Sequence, residues 1–376
     1  MESTKLTPFK HQTKTQALSS YLIELANKLG PEARLPTMQE LCNSLGVSVV
    51  TLNRALSELE AQNIIQRKHG VGIFVSPRLN QKTIGLVYDH DIFGTTASPF
   101  GSLLVEEARD RAARGSEKFS VYFAMPSREG LPVHDDLVEA IRARRLSGIL
   151  FVSEQHPQAI EWLLRQNVPL VALSYKPVAP WRVAIDHAAG VRLGVQALAE
   201  QGCRRIGLWI PLGVGIGRAE GEKSFPELDA FRQELKKHGL PFNLEWVWEH
   251  KNLTDTLPAH EAETKQEQGY RAANAVFGSA GPKQKDAPDG LVIMDDMMTR
   301  GALVAFQKLR LHPGSDIKIA THTNRGSAVL HGYESDLIFI EVDPAEIVQA
   351  MFSMLETLME GRTPPEPTVS IRPKLR

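Results

Sequence analysis

The stretch LPTMQELCNSLGVSVVTLNRAL, from Leu35 to Leu56, decides the fold of the N-terminal part of this chain. Apolar residues recur at helical spacing on both sides of Gly46, and Ser48 is a good N-cap for the second of two helices. Shortly afterwards, GVGIFV from Gly70 to Val75 has the pattern of one side of a glycine-containing hairpin. The sequence therefore predicts a helix, a tight turn, a second helix and a short hairpin.

This order of elements is the layout of a winged helix-turn-helix, which lays its second helix in the major groove of DNA. We expect this domain, the head, to occupy residues 1–76. Short polar side chains at a helix N-terminus and a basic, glycine-rich hairpin tip suit contacts with phosphates and base edges. The candidate DNA contacts are Ser48, Val49, Thr51, Asn53, Arg54, Arg67, Lys68, His69, Gly70 and Gly72.

Composition and charge agree with a DNA-binding head on a larger body. The net charge of the chain is −1, but residues 1–80 carry nine Lys or Arg against six acidic residues. No apolar run is long enough to span a bilayer, and the polar N-terminus has no signal-peptide pattern. We therefore expect a cytoplasmic protein without membrane association, and its two cysteines to be buried thiols.

The head resembles the GntR family of bacterial transcription regulators. The resemblance is carried by Leu35, Pro36, Leu41, Val47, Ser48, Thr51, Arg54, Ala55, Leu56, Gly70, Gly72, Phe74 and Val75. Gln39 and Val49 depart from it, because they replace arginines that commonly read guanine in the family. Gln39 is suited to adenine and Val49 to a thymine methyl group, so both remain candidate DNA contacts on a different operator.

From Ile84 onward, short apolar runs alternate with helical segments, and the cycle restarts after about residue 186. This alternation predicts two parallel sheets, each covered by helices, and hence an α/β body of two lobes with a cleft. Ligands of such folds bind outside the carboxyl ends of the strands. We find no dinucleotide fingerprint, metal-ligand spacing or nucleophile elbow, and therefore expect no cofactor and no metal.

The body resembles the sensor domain of the LacI/GalR family, which is similar to periplasmic sugar-binding proteins. The matching phrases are Ser98–Phe100, Leu146–Phe151, Val183–Gly190, Gly202–Gly207, Gly269–Ala273 and Asp296–Ala302. The resemblance implies a linker at 77–82 and an effector domain at 83–376, with lobe 1 at about 83–185 plus 324–341. Lobe 2 is then about 186–323 plus 342–376, with crossings near 186, 323 and 342, and the protein is a homodimer.

The candidate effector contacts are Phe100, Asp186, Arg218, Asp296 and Asn324. The carboxylate that matches Asp296 in the family accepts hydroxyl hydrogens of the effector, and the alternative is that it caps the next helix. Asp295 is a candidate for either role. Phe100 would either stack on a sugar ring or pack in the core. Asp186 and Asn324 fall at predicted crossings, where each would be either a hinge contact or a ligand contact.

One departure bears on the effector's charge. The position of the family's usual arginine is taken by Glu227, which favours a neutral sugar or polyol over an anionic one, although Arg218 in the preceding loop is a possible substitute. The sequence therefore predicts a regulator, typically a repressor of carbohydrate genes, that binds a pseudo-palindromic operator and is not an enzyme. The alternative is a winged helix fused to an enzymatic or protein-interaction module.

Overall fold

The computed structural model of the chain describes residues 14–376, except 78, 80, 90–91, 95–96, 116, 125–129, 153–156, 212–224, 249–263 and 279–286. Contacts divide the chain into two compact units, Met1–Lys82 and Thr83–Arg376. The boundary falls at the C-terminal end of the predicted linker.

The described residues of the first unit form three helices: α1 (Lys14–Leu29), α2 (Met38–Leu45) and α3 (Val49–Ala61). Thr37 and Glu40 form a capping box that starts α2, and Gly46 ends it in the left-handed conformation, with φ of 61°. Ser48 then caps α3, accepting the Thr51 backbone N–H. The turn at Gly46 and the cap at Ser48 are therefore as the sequence predicts.

A two-stranded antiparallel hairpin follows, which we call the wing: β1 (Ile65–Lys68) and β2 (Gly72–Val75) with the turn between them. Its register pairs Ile65 with Val75 and Lys68 with Gly72. Ile65, Ile73 and Val75 face a common core with Leu22, Leu52 and Leu56 from the helices. Burial of these side chains holds the wing and the helices in one small domain.

The second unit contains two six-stranded sheets. The strands of the first sheet are β3 (Thr83–Tyr88), β4 (Lys118–Phe123), β5 (Gly148–Val152), β6 (Leu170–Leu173), β7 (Arg182–Ile185) and β13 (Thr368–Ile371). Their order is β13-β7-β6-β5-β3-β4, and every pair is parallel. This sheet and its helices form lobe 1.

The second sheet consists of β8 (Ile206–Trp209), β9 (Val247–Trp248), β10 (Gly290–Ile293), β11 (Lys318–Asn324), β12 (Leu337–Val342) and β14 (Lys374–Leu375). Their order is β14-β12-β11-β10-β8-β9, and only the edge strand β14 is antiparallel to its neighbour. This sheet and its helices form lobe 2. The two-lobed α/β body predicted from the alternating pattern is confirmed.

The helices of the body are α4 (Pro99–Arg114), α5 (Asp135–Arg142), α6 (Pro157–Leu164), α7 (His187–Glu200), α8 (Pro226–Lys237), α9 (Lys265–Phe277), α10 (Asp296–Leu309) and α11 (Pro344–Met359). Two core clusters lie in each lobe, one on either face of its sheet. Each sheet is therefore buried on both faces, which explains why its strands are continuous apolar runs.

The assignment of the C-terminal segments to the lobes is a correction to the prediction. Residues 324–341 were expected in lobe 1, but β12 pairs in parallel with β11 of lobe 2. Residues 342–376 were expected in lobe 2, but α11 packs on lobe 1 and β13 pairs with β7. The hydropathy pattern of a segment identifies it as a strand but does not say which strand it pairs with. The pairing of β12 with β11 places β12 in lobe 2.

The chain passes between the lobes three times. The passages lie between β7 and α7, between β12 and α11, and between β13 and β14. Crossings near 186 and 342 therefore stand, whereas the one expected near 323 lies instead at about residue 372. Beside the first passage, the Asp186 backbone N–H donates to the carbonyl of Ile371 at 2.9 Å, so two of the passages are hydrogen-bonded to each other.

Two glycines allow α9 and α10 to lie very close together. A Cβ built on Gly269 would lie 1.8 Å from the Met298 carbonyl oxygen, and one built on Gly301 would lie 1.8 Å from that of Gln266. No other residue fits at either position without moving a helix backbone. This close approach brings the first turn of α9 against the N-terminus of α10.

None of the helices in the described part of the chain has the length and apolarity needed to cross a lipid bilayer.

Candidate functional site

The outer face of α3 begins with apolar side chains. Leu52, Ala55, Leu56 and Leu59 are buried on its inner face. On the opposite face, Val50 is 80% exposed, and Val49, on the flank of the helix at its first residue, is 56% exposed. Asn53, Arg54 and Ser57 continue that exposed face along the helix.

The polar residues of this first turn are engaged with each other. The Ser48 hydroxyl oxygen accepts the Thr51 backbone N–H at 3.2 Å, and the two hydroxyl oxygens lie 2.9 Å apart. Both side chains therefore satisfy the helix N-terminus, and each hydroxyl retains only part of its capacity for an outside partner.

Arg67 of the wing joins β1 to α3. Its Nε donates to Glu60 Oε2 at 2.7 Å, its Nη2 to Ser57 Oγ at 2.9 Å and its Nη1 to Asn53 Oδ1 at 3.3 Å. The Arg67 backbone and side-chain N–H groups hold the pKa of the Glu60 carboxyl below its usual value. The sequence predicts Arg67 and Asn53 as DNA contacts, but it did not predict that these two side chains are hydrogen-bonded to each other.

The tip of the wing is basic and tightly turned. Lys68 Nζ lies 4.9 Å from the centre of the Phe74 ring, and His69 is exposed beside it. Gly70 and Gly72 take φ of 70° and 143°, which side chains rarely adopt. Arg34 Nη2 donates to the Val71 carbonyl at 2.9 Å, which adds a further cation at the tip.

Arg54 and Gln39 are the remaining candidate DNA contacts, and both are exposed. The Arg54 side chain is 76% exposed, and Glu58, its ion-pair partner at 3.7 Å, is 46% exposed. Gln39 lies exposed on α2. The head therefore presents one helix face, a basic wing tip and a neighbouring amide.

In the second unit, polar residues gather where the strands of lobe 2 end. Asp295 caps α10 by accepting the Met298 backbone N–H at 2.9 Å, so the cap is Asp295 and not Asp296. Lys265, from the first turn of α9, lies 3.1 Å from Asp295 Oδ2. The close approach of α9 and α10 at their glycines makes this ion pair possible.

Asp296 is almost wholly buried, with 1% of its surface exposed. Its Oδ2 accepts a hydrogen bond from the Ser327 hydroxyl at 2.9 Å. Burial, with Asp295 beside it, raises the pKa of the Asp296 carboxyl to about 6. A carboxylate in this condition is stabilised by any further hydrogen-bond donor brought to it.

Two buried imidazoles lie next to these carboxylates. The rings of His187 and His322 are 5.8 Å apart, and that of His187 lies 6.1 Å from Tyr175. Burial lowers the pKa of His187 to about 3 and that of His322 to about 4, so both are neutral at pH 7. His187 Nδ1 has no hydrogen-bond partner among the described residues, nor have the indole nitrogens of Trp209 and Trp248.

Two contacts join the lobes near this point. The Tyr175 hydroxyl, which follows β6 of lobe 1, donates to Glu227 Oε2 in the first turn of α8 at 3.2 Å. Gly326, after β11, lies against Leu103 of α4, so that a Cβ built on this glycine would be 3.3 Å from the Leu103 side chain. We call the group Tyr175, His187, Glu227, Lys265, Asp295, Asp296, His322 and Ser327 the interlobe cluster.

The predicted effector residues are only partly brought together. Asp296 belongs to the interlobe cluster. Phe100 lies in the first turn of α4, whose next turn touches the loop that carries Ser327, but its ring also packs on the core of lobe 1. Both readings of Phe100, stacking on a ligand or packing, therefore remain.

Asp186 and Asn324 lie beside the passages between the lobes. Asp186 is the N-cap of α7, where its Oδ1 accepts the Ala189 N–H at 2.8 Å. Asn324 ends β11, opposite Val342 of β12. Arg218 lies outside the described residues. Metal-ligand clusters of three or more side chains do not occur in the part of the chain that the structure describes.

Family models match both units of the chain. The model "Bacterial regulatory proteins, gntR family" matches residues 23–75, and the model "Periplasmic binding protein-like domain" matches residues 195–376. Residues 23–75 are therefore similar to the helix-turn-helix domain of the gntR family, and residues 195–376 to periplasmic-binding-protein-like domains. The resemblances drawn from the head and body sequences are thereby confirmed.

Curated relatives align with about three fifths of the chain. The HTH-type transcriptional repressor PurR of Photorhabdus laumondii is 25% identical over 241 residues, which are 62% of this chain and 62% of that protein. PurR of Yersinia pestis is 24% identical over 247 residues, with the same shares. The chain thus spans less than two thirds of the length of these relatives.

Solved structures share the fold of the body, the larger of the two units. A LacI-family regulatory protein from Chloroflexus aggregans superposes with a TM-score of 0.61 at 20% identity, covering 78% of this chain and 96% of that one. The transcriptional regulator CelR, in a complex with cellobiose, gives a TM-score of 0.60 at 18% identity, covering 91% of this chain and 98% of CelR.

Sequence reasoning missed several residues of the interlobe cluster. Lys265, His187, His322 and Ser327 carry no local motif, because they come together only through the fold. Trp209, whose buried indole N–H has no partner among the described residues, lies outside that cluster but was detectable, since it lies near the carboxyl end of a predicted strand. Val50 was detectable as well, because a helical projection of α3 places it opposite Leu52 and Leu56.

Proposed function

We propose that this protein is a DNA-binding transcription regulator, acting as a repressor, whose affinity for its operator changes when a small sugar-like effector binds between its lobes. The observation that carries the proposal is the joining, in one chain, of a winged head with an exposed α3 face to a two-lobed body with a buried polar cluster between the lobes. A gntR-type match and PurR relatives support the same role.

The head is proposed to bind duplex DNA through α3 and the wing. Val50 and Arg54 lie on the exposed face of α3, Val49 is exposed at its first residue, and Gln39 is exposed on α2. Lys68, His69, Gly70 and Gly72 form the wing tip. Ser48 and Thr51 sit at the helix N-terminus, where polar groups approach phosphates. Arg67 and Asn53 are proposed to orient the wing on α3 as well as to face DNA.

The effector is proposed to be neutral, a sugar or polyol. Glu227, Asp295 and Asp296 outnumber Lys265, the one cation of the interlobe cluster, so an anionic ligand would meet net repulsion. Asp296 offers a buried acceptor to ligand hydroxyls, and the imidazole of His187 and the indole N–H groups of Trp209 and Trp248 have unused hydrogen-bonding capacity. CelR, a structure with this fold, is solved with cellobiose, and the neutral charge of that sugar agrees with the proposal.

The protein is proposed to act as a homodimer on a pseudo-palindromic operator. Winged and helix-turn-helix heads bind half-sites about one helical turn apart when two are joined, and a dimer supplies two heads. Closure of the lobes on an effector would change the spacing of the heads. Coupling of this kind is typically about 1–3 kcal/mol in binding free energy.

Two measurements test the proposal. The full chain is incubated with a random duplex library at several salt concentrations, and the bound duplexes are sequenced; enrichment of an inverted repeat with salt-dependent affinity supports it. A thermal-shift screen then compares neutral mono- and disaccharides with their phosphorylated forms. Absence of any enriched duplex rejects the DNA-binding role, and stabilisation only by phosphorylated sugars rejects the neutral effector.

The rival functions give different outcomes. A head that binds protein rather than DNA enriches no duplex at any salt concentration. An enzymatic body turns over its ligand, so incubation of a stabilising sugar with the protein and analysis of that sugar by mass spectrometry separates an enzyme from a sensor.

A further inference from the structure

The geometry points to Val49 and Val50 as the residues that select the operator, by packing on the 5-methyl groups of thymines in the major groove. This inference rests on the proposed binding of the head to duplex DNA and adds what α3 recognises there. The contact is apolar, whereas most base recognition by helices uses hydrogen bonds from arginine, asparagine or glutamine.

The first argument is direction. Leu52, Ala55, Leu56 and Leu59 are buried, which fixes the inner face of α3. Val50 lies opposite them, one turn before Arg54, and 80% of its surface is exposed. A helix that enters a groove with its N-terminal residues first would therefore present Val50 ahead of any charged side chain.

The second argument is that the neighbouring polar groups are already engaged. The Ser48 and Thr51 hydroxyls are 2.9 Å apart at the helix cap. Asn53 Oδ1 and Ser57 Oγ accept hydrogen bonds from Arg67. The side chains on the first turn and a half of α3 with no such engagement are the two valines and Arg54, whose ion pair with Glu58 is long and exposed.

The third argument is shape and charge. Valine in a helix has essentially one side-chain rotamer, so Val50 on the outer face and Val49 on its flank each offer a fixed apolar surface without loss of conformational entropy on binding. Basic groups belong to the same head, with Arg54 one turn after Val50 on the same face of α3 and Lys68 on the wing. An apolar surface beside basic groups fits a duplex that offers methyl groups between phosphates. The thymine 5-methyl is the one apolar group that the bases expose in the major groove.

The test removes the methyl group and nothing else. Duplexes are selected with the full chain from a random library, and the affinity of the winning sequence is measured with each thymine replaced in turn by deoxyuridine. We expect one or two positions in each half-site at which the replacement weakens binding about fourfold, the loss expected for one buried methyl group.

Variants connect those positions to the valines. In Val50→Ala or Val49→Ala, affinity for the thymine duplex should fall while the ratio of thymine to uracil affinity at the sensitive position approaches one. Val71→Ala is the matched control, because Val71 is also an exposed valine of the head, at 54%, but lies in the wing turn. It should keep the full thymine-to-uracil ratio, whatever it does to affinity.

The outcomes separate this inference from the proposed function. If no duplex is enriched, both fail. If duplexes are enriched but uracil is tolerated at every position, or if Val49→Ala and Val50→Ala leave the thymine-to-uracil ratio unchanged, the methyl-reading inference fails while DNA binding stands. Enrichment of sequences without thymine at the half-site centres also overturns it.

Discussion

The Tyr175 hydroxyl of lobe 1 donates a hydrogen bond to the buried Glu227 carboxylate of lobe 2 at 3.2 Å. The bond joins the first turn of α8 to the segment that follows β6, in the region where we propose that the effector binds. One of the contacts that link the lobes in this structure is thus a polar contact for which a ligand with hydroxyl groups would compete.

Tyr175→Phe should lower the free energy of unfolding by about 1–3 kcal/mol, because it leaves a buried carboxylate without one of its donors. Chemical denaturation of the body would measure the loss. Tyr21→Phe, at a tyrosine of the other unit that is 48% exposed, should show none. A Tyr175→Phe protein as stable as the parent would show that the contact is not formed in solution.

Asp296→Asn should remove most of an effector-induced thermal shift while stabilising the ligand-free protein at pH 7. The carboxyl with a pKa of about 6 is ionised at pH 7 at a cost that the unfolded chain does not bear, and an amide avoids that cost, which is roughly 1–3 kcal/mol. Differential scanning fluorimetry with and without the sugar measures both changes.

Asp110→Asn serves as the control for this substitution, because its carboxylate is half exposed on α4. It should leave both the shift and the ligand-free stability unchanged. Retention of the full shift by Asp296→Asn would remove Asp296 from the proposed effector site.

Arg54→Ala and Arg67→Ala should have different effects although both residues are basic and lie on the head. Arg54 makes one exposed ion pair, so its loss should weaken duplex binding and reduce the salt slope by about one, with little effect on stability. Arg67 holds the wing on α3 through Glu60, Ser57 and Asn53, so its loss should lower the stability of the head by about 1 kcal/mol as well.

Gel-shift titrations at several salt concentrations and thermal unfolding of the same preparations separate these two effects. Equal stability of the two variants would contradict the role of Arg67 as the link between wing and helix.

The stability of the body should fall as the pH is lowered from 7 to 5. In the folded protein the pKa values of His187 and His322 are about 3 and 4, below the usual value near 6.5. Between pH 6.5 and pH 5 the two imidazoles are therefore protonated in the unfolded chain and remain neutral in the folded protein. The stability that they contribute is complete above pH 6.5 and is lost below it, by about 2 kcal/mol for each imidazole at pH 5. Asp296 has the opposite effect on stability. Because its pKa is raised in the folded state, the folded protein binds a proton there at a higher pH than the unfolded chain does, which favours folding as the pH falls.

His187→Gln should reduce the acid loss, measured by denaturant unfolding at pH 5 and pH 7. His331→Gln, at a side chain that is 85% exposed, should leave the loss as it is. An unchanged difference between the two pH values in His187→Gln would show that the imidazole takes up its proton in the folded protein.

The sequence was sufficient for the local structure of the head because its signals are local. Gly46, Ser48 and the spacing of Leu52 and Leu56 determine the turn, the cap and the inner face of α3. The alternation of apolar runs likewise predicted the two sheets. Asp296 was placed at the end of a strand by the same reasoning, and it lies in the interlobe cluster.

The remainder depends on contacts between distant segments. Whether β12 belongs to one lobe or the other is decided by its pairing with β11, and its own residues suit either sheet. Lys265 reaches Asp295 only because Gly269 and Gly301 let two helices touch. The engagement of Arg67 with Asn53 could not be read from two polar residues in separate elements.

The three passages of the chain between the lobes restrict how the body can move. A single connecting segment would let the lobes twist and slide in many ways, but three connecting segments permit fewer relative motions, chiefly bending at the passages. Asp186 and Ile371 even hydrogen-bond one passage to another, so the passages must bend together. Opening and closing should therefore behave as one cooperative step, and a population caught halfway would be rare at any effector concentration.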